Sequence, residues 1–438
     1  MNSIPLSPLA LKNFIRIILL GFLILNACKK DDNNSGAVPV NEGLKVVSSY
    51  LVNDDHIGDG FDQLPNDPSI YSYSNLYVDL VNLNDTLPTQ VHTFSKVTYA
   101  STDNQGNPVR LSGLLIYPPN KIKENTPLIS FNHGTELEKK YAPSQFVAGQ
   151  SDITKFAEVI VAWGISALNN WIVVMPDYQG MGDDVGEVHP YCVKDMLAVA
   201  TADMVEAAQN TVVQDLYPSW KGNTYIMGYS EGGFVTMAAL QELEKRNADL
   251  DGAVIMEGPY DLSGAMLDMM LRDTAFPVPY FLPMLLVGYN AIYPDVFMYD
   301  EMLKSPYNVD IPKYTTGFYP AETVDSIMPP DHILKEVFTG AGLDTLINPT
   351  SKAHQTLYDN NTYIGWKPST KTYIWHCRND DCVPFGNFEK VKSVFGTPPN
   401  ITYKEYPPIN PIFNTIHETA APIAFSEGTI WIMQQEEK

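Results

Sequence analysis

The sequence predicts an α/β fold: a mostly parallel sheet with helices on both faces, interrupted once by a mainly helical insertion. The first observation behind this is that short, wholly apolar runs of strand length alternate with longer runs whose apolar residues recur at helical spacing. Strands apolar on every side chain belong to sheets covered on both faces. The second is the stretch Gly228-Tyr229-Ser230-Glu231-Gly232-Gly233, which follows the β-rich run from Asn223 to Met227 and precedes a helical pattern from Phe234 to Leu243. A serine on a sharp strand-to-helix turn needs small neighbours, so Gly228 and Gly232 form the expected elbow around Ser230. The third is that residues 262–365 lose the alternation altogether.

Taken in order, Lys12 and Arg16 precede an unbroken apolar run from Ile17 to Leu25, too short to span a bilayer and of signal-peptide length. It ends in Leu25-Asn26-Ala27-Cys28. This resembles a bacterial lipoprotein signal, residues 1–27, with Cys28 as the lipidated N-terminus; a plain secretory signal with Cys28 incidental is the alternative. Residues 28–44 read as a flexible tether, because Lys29 to Gly36 is polar throughout. Its Lys-Lys-Asp-Asp start resembles a surface-export signal of Bacteroidetes-type lipoproteins. The expected location is therefore extracytoplasmic, at the outer membrane, with membrane contact through the lipid anchor only.

The formal charge of −23 excludes a general nucleic-acid role, since phosphate binding needs a basic surface. No zinc-type cysteine spacing, Gly-rich nucleotide loop or internal repeat is present, so neither a metal nor a cofactor is expected.

Residues 45–261 form the first part of the expected core. Residues 45–85 show no clear period and read as an N-terminal extension. Phe94–Ala100 and Arg110–Tyr117 read as a hairpin around Asp103-Asn104-Gln105-Gly106-Asn107. Further strands are expected at 127–132, 171–176, 223–227 and 252–256, with helices over 156–168 and 193–213. His133-Gly134-Thr135, Asp177-Tyr178 and Ser230 all fall at strand ends, the edge where such sheets bind ligands. Residues 366–438 complete the core with strands at 372–376 and 400–406 and a closing helix over 420–434.

A serine needs a histidine to take its proton and an acid to hold that histidine. Downstream of Ser230, one strand ends in His376-Cys377-Arg378-Asn379-Asp380-Asp381-Cys382-Val383-Pro384, and a later loop reaches Ile416-His417-Glu418. On these residues the chain resembles the α/β-hydrolase superfamily, and within it the secretory lipase family and its bacterial lipoprotein relatives. The resemblance implies a Ser230–His417–Asp380 triad, with Asp380 rather than Asp381 as the acid because His376, Asp380, Val383 and Pro384 keep the family's offsets. Cys377 replaces the usual glycine. The segment His133-Gly134-Thr135 with Ala142-Pro143-Ser144 resembles the oxyanion loop. The expected oxyanion donors are the backbone N–H groups of Glu231 and Thr135.

His133 and His376 read as structural, His189 as part of a solvated cluster with Asp177 and Asp183, and His332 and His354 as surface residues. The Glu231 side chain is expected to point away. Residues 262–365 stand where such hydrolases carry a cap. Met266, Leu267, Met269, Met270 and Leu271 either seal the cap or receive an acyl chain or aromatic acid. The implied function is hydrolysis of a small-molecule, lipid or acylated-glycan carboxylic ester. A serine peptidase on the same sheet and an inactive ligand-binding lipoprotein are the alternatives. Outside the cytoplasm a disulfide is allowed, and a Cys377–Cys382 bridge is expected to stiffen the Asp380 loop; free thiols or a bridge to Cys192 are the other options.

Overall fold

The computed structural model describes residues 43–53, 91–147 and 153–437. The signal segment, Cys28, the polar tether up to residue 42 and residues 54–90 of the extension lie outside the described residues.

Nine strands form one sheet in the order β1-β2-β3-β5-β4-β6-β7-β8-β9. They are β1 (Lys45–Asn53), β2 (Val91–Thr102), β3 (Pro108–Tyr117), β4 (Leu128–Asn132), β5 (Ile172–Pro176), β6 (Thr224–Tyr229), β7 (Gly252–Met256), β8 (Thr372–Cys377) and β9 (Ile401–Tyr406). The pairs β1–β2, β2–β3 and β3–β5 are antiparallel; every pair from β5 through β9 is parallel. The chain passes from β4 out to β5 and returns to β6 on the other side of β4. That reversal opens a crevice at the carboxyl ends of β4 and β6.

Strand β1 was not expected. Its pairing with β2 shifts register between Val46 and Ser48. The extra residue moves side chains from one face to the other, so no period of two survives in the sequence. As an edge strand it also leaves Val46, Val47 and Leu51 exposed.

Side chains alternate between two cores. Tyr225, Met227, Val254, Met256, Tyr373 and Trp375 face one side, packed under helices α1 (Ala157–Asn169) and α6 (Ile416–Glu436). Ile226, Ala253, Ile255 and Ile374 face the other, under α2 (Lys194–Thr211), α3 (Glu231–Arg246) and α5 (Gly386–Phe395). Helix α3 begins three residues earlier than the pattern suggests, with Gly232 and Gly233 inside it. They serve contact rather than helix breaking: a Cβ on Gly232 would stand 2.0 Å from the Asn132 carbonyl oxygen. Helix α6 also starts early, at Ile416. Thr415 accepts the Glu418 N–H at 2.9 Å, a capping arrangement at the helix N-terminus.

The segment between β7 and β8 folds into short helices, the longest being α4 (Phe281–Ile292). Its apolar residues build a separate core that joins the sheet domain through Leu137, Tyr178, Tyr191, Phe234 and Val383. Met266 and Met270 are buried in this core, as the sealing role predicts, and also line a cleft that reaches Ser230.

Candidate active site

Ser230 stands between β6 and α3 with φ 60° and ψ −126°, a conformation that a side-chain-bearing residue avoids unless its surroundings impose it. Here the surroundings do. Its N–H donates to Met256 O on the neighbouring strand at 3.0 Å, and a Cβ on Gly228 would meet Gly232 O at 2.3 Å. The turn can close only with glycine at both flanking positions.

Asp380 and His417 come from two other elements. The loop after β8 wraps Asp380 so that its Oδ1 accepts the N–H groups of Cys382 and Val383, each at 2.8 Å. Oδ2 is left for His417 Nδ1 at 2.6 Å. Asp381 does a different job: its carboxylate accepts the N–H groups of Ile416 and His417, at 3.1 and 3.2 Å, and so fixes the start of α6. Burial alone would raise the Asp380 pKa, but the His417 charge and hydrogen bonds to the carboxylate hold it well below the usual range. Burial opposes the charged imidazole of His417; Asp380 outweighs it by charge and hydrogen bond, with a hydrogen bond to Glu257 adding to it, so the His417 pKa is raised. His417 Nε2 has no hydrogen-bond partner among the described residues, Ser230 included, and is available to take a proton. Catalytic hydrogen bonds in unliganded sites are often long and tighten with substrate.

The expected Cys377–Cys382 bridge is absent. Both thiols are free and buried, as is Cys192. They face different partners: Cys377 Sγ lies 3.2 Å from Asn379 Oδ1, and Cys382 Sγ 3.6 Å from Asp381 Oδ1. The two N–H groups on Asp380 Oδ1 stiffen the loop in place of a bridge.

On the oxyanion side, Glu231 is the first residue of α3, where helix N–H groups are free of intrahelical partners. The Thr135 hydroxyl bonds Tyr191 Oη at 2.9 Å. Glu231 does not point into solvent: its Oε1 lies 2.8 Å from His189 Nε2, both residues buried. His189 Nδ1 contacts Gln179 O at 3.0 Å. That oxygen can only accept, so Nδ1 carries a hydrogen and Nε2 shares a proton with Glu231. His189 is thus no member of a solvated cluster. Asp177 is buried against Ser112 Oγ at 2.5 Å and the Ser144 N–H at 2.8 Å, and Asp183 pairs with Lys96.

His133 is structural, with Nδ1 2.7 Å from Gly134 O and its ring stacked on Tyr178. His376 hydrogen-bonds locally to Val383 O at 3.0 Å. His332 and His354 are half-buried rather than surface residues; His354 Nδ1 bonds Leu346 O at 2.8 Å.

Two carboxyls at the site were missed in the sequence. Glu158, in the first turn of α1, accepts the Gly134 N–H at 2.7 Å and pins the loop after β4. Glu257 directly follows β7, with Oε2 3.3 Å from His417 Nδ1. Its place at a parallel strand's carboxyl end was a usable signal. Glu257, His376 and Asp380 bring one possible metal-ligand atom each within 4.8 Å of one another. Both carboxylates are hydrogen-bonded within the chain, Asp380 to two N–H groups and His417 and Glu257 to the Cys377 N–H.

The sequence matches no protein-family model and no curated protein. Solved structures do match. A hydrolase candidate from Legionella pneumophila superposes with a TM-score of 0.73 at 21% identity, over 90% of this chain and 99% of that one. A ligand-bound form of the rice cell wall degrading esterase LipA from Xanthomonas oryzae gives 0.70 at 20%, over 91% and 98%. Candida antarctica lipase A in its closed state gives 0.58 at 17%, over 84% and 77%. The fold is that of the α/β-hydrolases. Within this α/β-hydrolase fold Ser230, Asp380 and His417 follow β6, β8 and β9, and the insertion between β7 and β8 lies over the crevice.

Burial raises the Glu158 pKa to about 8 and that of nearby Glu136 to about 7. An unfolded chain releases these protons near pH 4.3. The stability they contribute is therefore present below that pH and is lost as pH rises through the folded values. Glu158→Gln keeps an acceptor for Gly134 and cannot ionise. It should gain on the wild type by up to a few kcal/mol between about pH 5 and pH 8. Urea midpoints at the two pH values measure this; a wild-type-minus-variant difference that does not change with pH contradicts it.

Proposed function

We propose that this chain is a serine hydrolase of carboxylic esters that works through an acyl-enzyme on Ser230. The observation that carries the proposal is the Asp380–His417 pair at 2.6 Å, held at the same sheet edge as a serine in a strained strand-to-helix turn. His417 takes the Ser230 proton as the hydroxyl attacks the ester carbonyl, and Asp380 stabilises the imidazolium that forms. The N–H groups of Glu231 and Thr135 receive the oxyanion. His417 then passes its proton to the leaving alcohol, and water, activated by the same base, releases the acid. The ester-cleaving structural neighbours support the reaction class.

The cleft that ends at Ser230 supports an acyl chain as the recognised group. It is lined by Met266, Met270, Phe281, Leu282, Leu285 and Phe338, among other apolar residues. No charged side chain lines it, which favours an ester with an apolar acyl group over a peptide or a charged ligand. The same proposal has the chain anchored by a lipid on Cys28 at an outer membrane, facing outward; the segment from Lys12 to Cys28 supports this.

A fluorophosphonate probe should label Ser230, and Ser230→Ala should abolish labelling and lower kcat by on the order of 10⁶-fold. Labelling that persists in the variant would rule out Ser230 as the nucleophile.

Only neutral His417 can accept a proton, and its pKa is raised, so activity should rise with pH through a midpoint above the ordinary imidazole value of about 6.5. Asp380→Asn should lower kcat by about 10⁴-fold and move that midpoint down. The pH dependence of kcat/KM decides; an acid limb unmoved by Asp380→Asn would remove Asp380 from its role.

In the cleft wall, Met270→Trp should shorten the accepted chain. Two excluded methylenes correspond to roughly a tenfold loss in kcat/KM. That loss is expected on octanoyl and longer p-nitrophenyl esters, with acetate hydrolysis unaffected. Equal losses across the chain-length series would place the acyl group elsewhere.

A further inference from the structure

The proposed triad leaves one buried carboxyl at the site without a role. Glu257 sits at the end of β7 with φ 43°, left-handed backbone that a long side chain rarely adopts. It is fully buried. The titratable groups around it are Tyr229 from β6, His376, Cys377 and Asp380 from β8 and its loop, His417 from α6, and Tyr260 beside it in the chain. Its ion-pair partner among the described residues is His417, at 3.3 Å, and that imidazole already has Asp380 at 2.6 Å.

Counting protons decides its state. Glu257 Oε1 accepts the Cys377 N–H at 2.7 Å. Tyr229 Oη lies in hydrogen-bond contact with both Glu257 Oε2 and the carbonyl oxygen of His417, the latter at 2.6 Å. A phenol has one proton and the carbonyl has none. Both contacts are hydrogen bonds only if Tyr229 donates to the carbonyl and Oε2 donates to Tyr229. With Glu257 ionised, one of two close oxygen pairs would have no proton between them. A second ionised carboxylate beside Asp380 is also disfavoured, as in any pair of like charges sharing a buried site.

We propose that Glu257 is a positioning residue that acts as a neutral carboxylic acid, donating to Tyr229 and thereby directing the Tyr229 proton to the backbone carbonyl of His417. The relay has two effects. It fixes the first turn of α6, from which the base projects. It also leaves Asp380 as the single carboxylate charge facing the imidazole, so the base keeps one counterion rather than two. The burial that raises the Glu257 pKa well above the ordinary carboxylate value acts in the same direction. This inference rests on the roles proposed for Ser230, His417 and Asp380.

The test uses Glu257→Leu, Glu257→Gln and Tyr229→Phe in the full chain. Leucine removes the donor and should lower kcat at least tenfold. Glutamine offers an N–H to Tyr229 and a carbonyl to the Cys377 N–H, and should recover most of that loss with the acid limb of kcat/KM where the wild type has it. Tyr229→Phe should resemble the leucine variant. If Glu257 were instead an ionised second counterion, glutamine would behave like leucine and shift the acid limb to lower pH, which would overturn the proposal. Two readouts need no turnover. The wild-type-minus-Glu257→Gln difference spectrum at neutral pH should show the infrared carbonyl stretch of a protonated carboxyl, shifted in D2O, with the bands of Glu158 and Glu136 cancelling. The urea midpoint of Glu257→Gln should rise relative to the wild type as pH increases from about 4.3, because only the wild type must keep a carboxyl protonated on folding. A missing band or a difference of opposite sign would show an ionised Glu257. These two results hold even if Ser230 fails to label, so failure of the ester-hydrolase reading is separable from failure of this one.

Discussion

Burying carboxyl groups is the constraint around which this site is built. A chain of formal charge −23 places Asp380, Glu257, Glu231, Glu158 and Glu136 within the sheet edge that carries Ser230, the first three buried and Glu158 and Glu136 half-buried. A buried carboxylate costs several kcal/mol unless something compensates its charge. The compensation differs at each position. Asp380 stays ionised because two backbone N–H groups and one imidazole face it. Glu231 shares a proton with His189. Glu158 and Glu136 are held near neutrality by desolvation. In the proposed mechanism this difference matters, because each further ionised carboxylate near His417 would favour its charged form over the neutral acceptor.

The sheet supplies the geometry for this electrostatic arrangement. Reversal of strand order around β4 puts the loop carrying Gly134 and the turn carrying Ser230 side by side. Parallel strands send β8 and the chain after β9 to the same edge. Each functional side chain then hangs on backbone that is fixed independently: Ser230 by a hydrogen bond to β7, Asp380 by its own loop, His417 by a capped helix start. Positioning of this kind holds the His417–Asp380 hydrogen bond at 2.6 Å.

Much of this arrangement can be read in the sequence, for reasons specific to each element. Strands buried on both faces have an unambiguous apolar signature, so β4 to β8 stand out; Ser230, Asp380 and His417 follow from spacing because a strand end fixes where the next residues go. Strand β1 is hidden by its bulge, and the start of α3 by glycines that serve a close approach rather than a turn. The pairings of His189 with Glu231 and of Glu158 with Gly134 join residues 42 and 24 positions apart and have no local pattern. The expected disulfide failed for a related reason. Two cysteines bracketing a loop establish proximity, but the directions of their thiols depend on hydrogen bonds to Asn379 and Asp381 that spacing does not encode.

The adjacent pair Asp380-Asp381 shows how finely the loop divides its work. The bend after β8 sends the two carboxylates to different partners. One carboxylate therefore meets the ring of His417 while the next meets the N–H groups of Ile416 and His417. The first favours the charged form of the His417 imidazole; the second holds the start of the helix that carries it, where free N–H groups and the helix dipole favour a negative partner. Because both acids act on the same residue through different atoms, a shift of the loop that weakened one contact would weaken the other. The base is consequently held in orientation and in position by one short turn of chain, and no covalent bridge is needed to rigidify it.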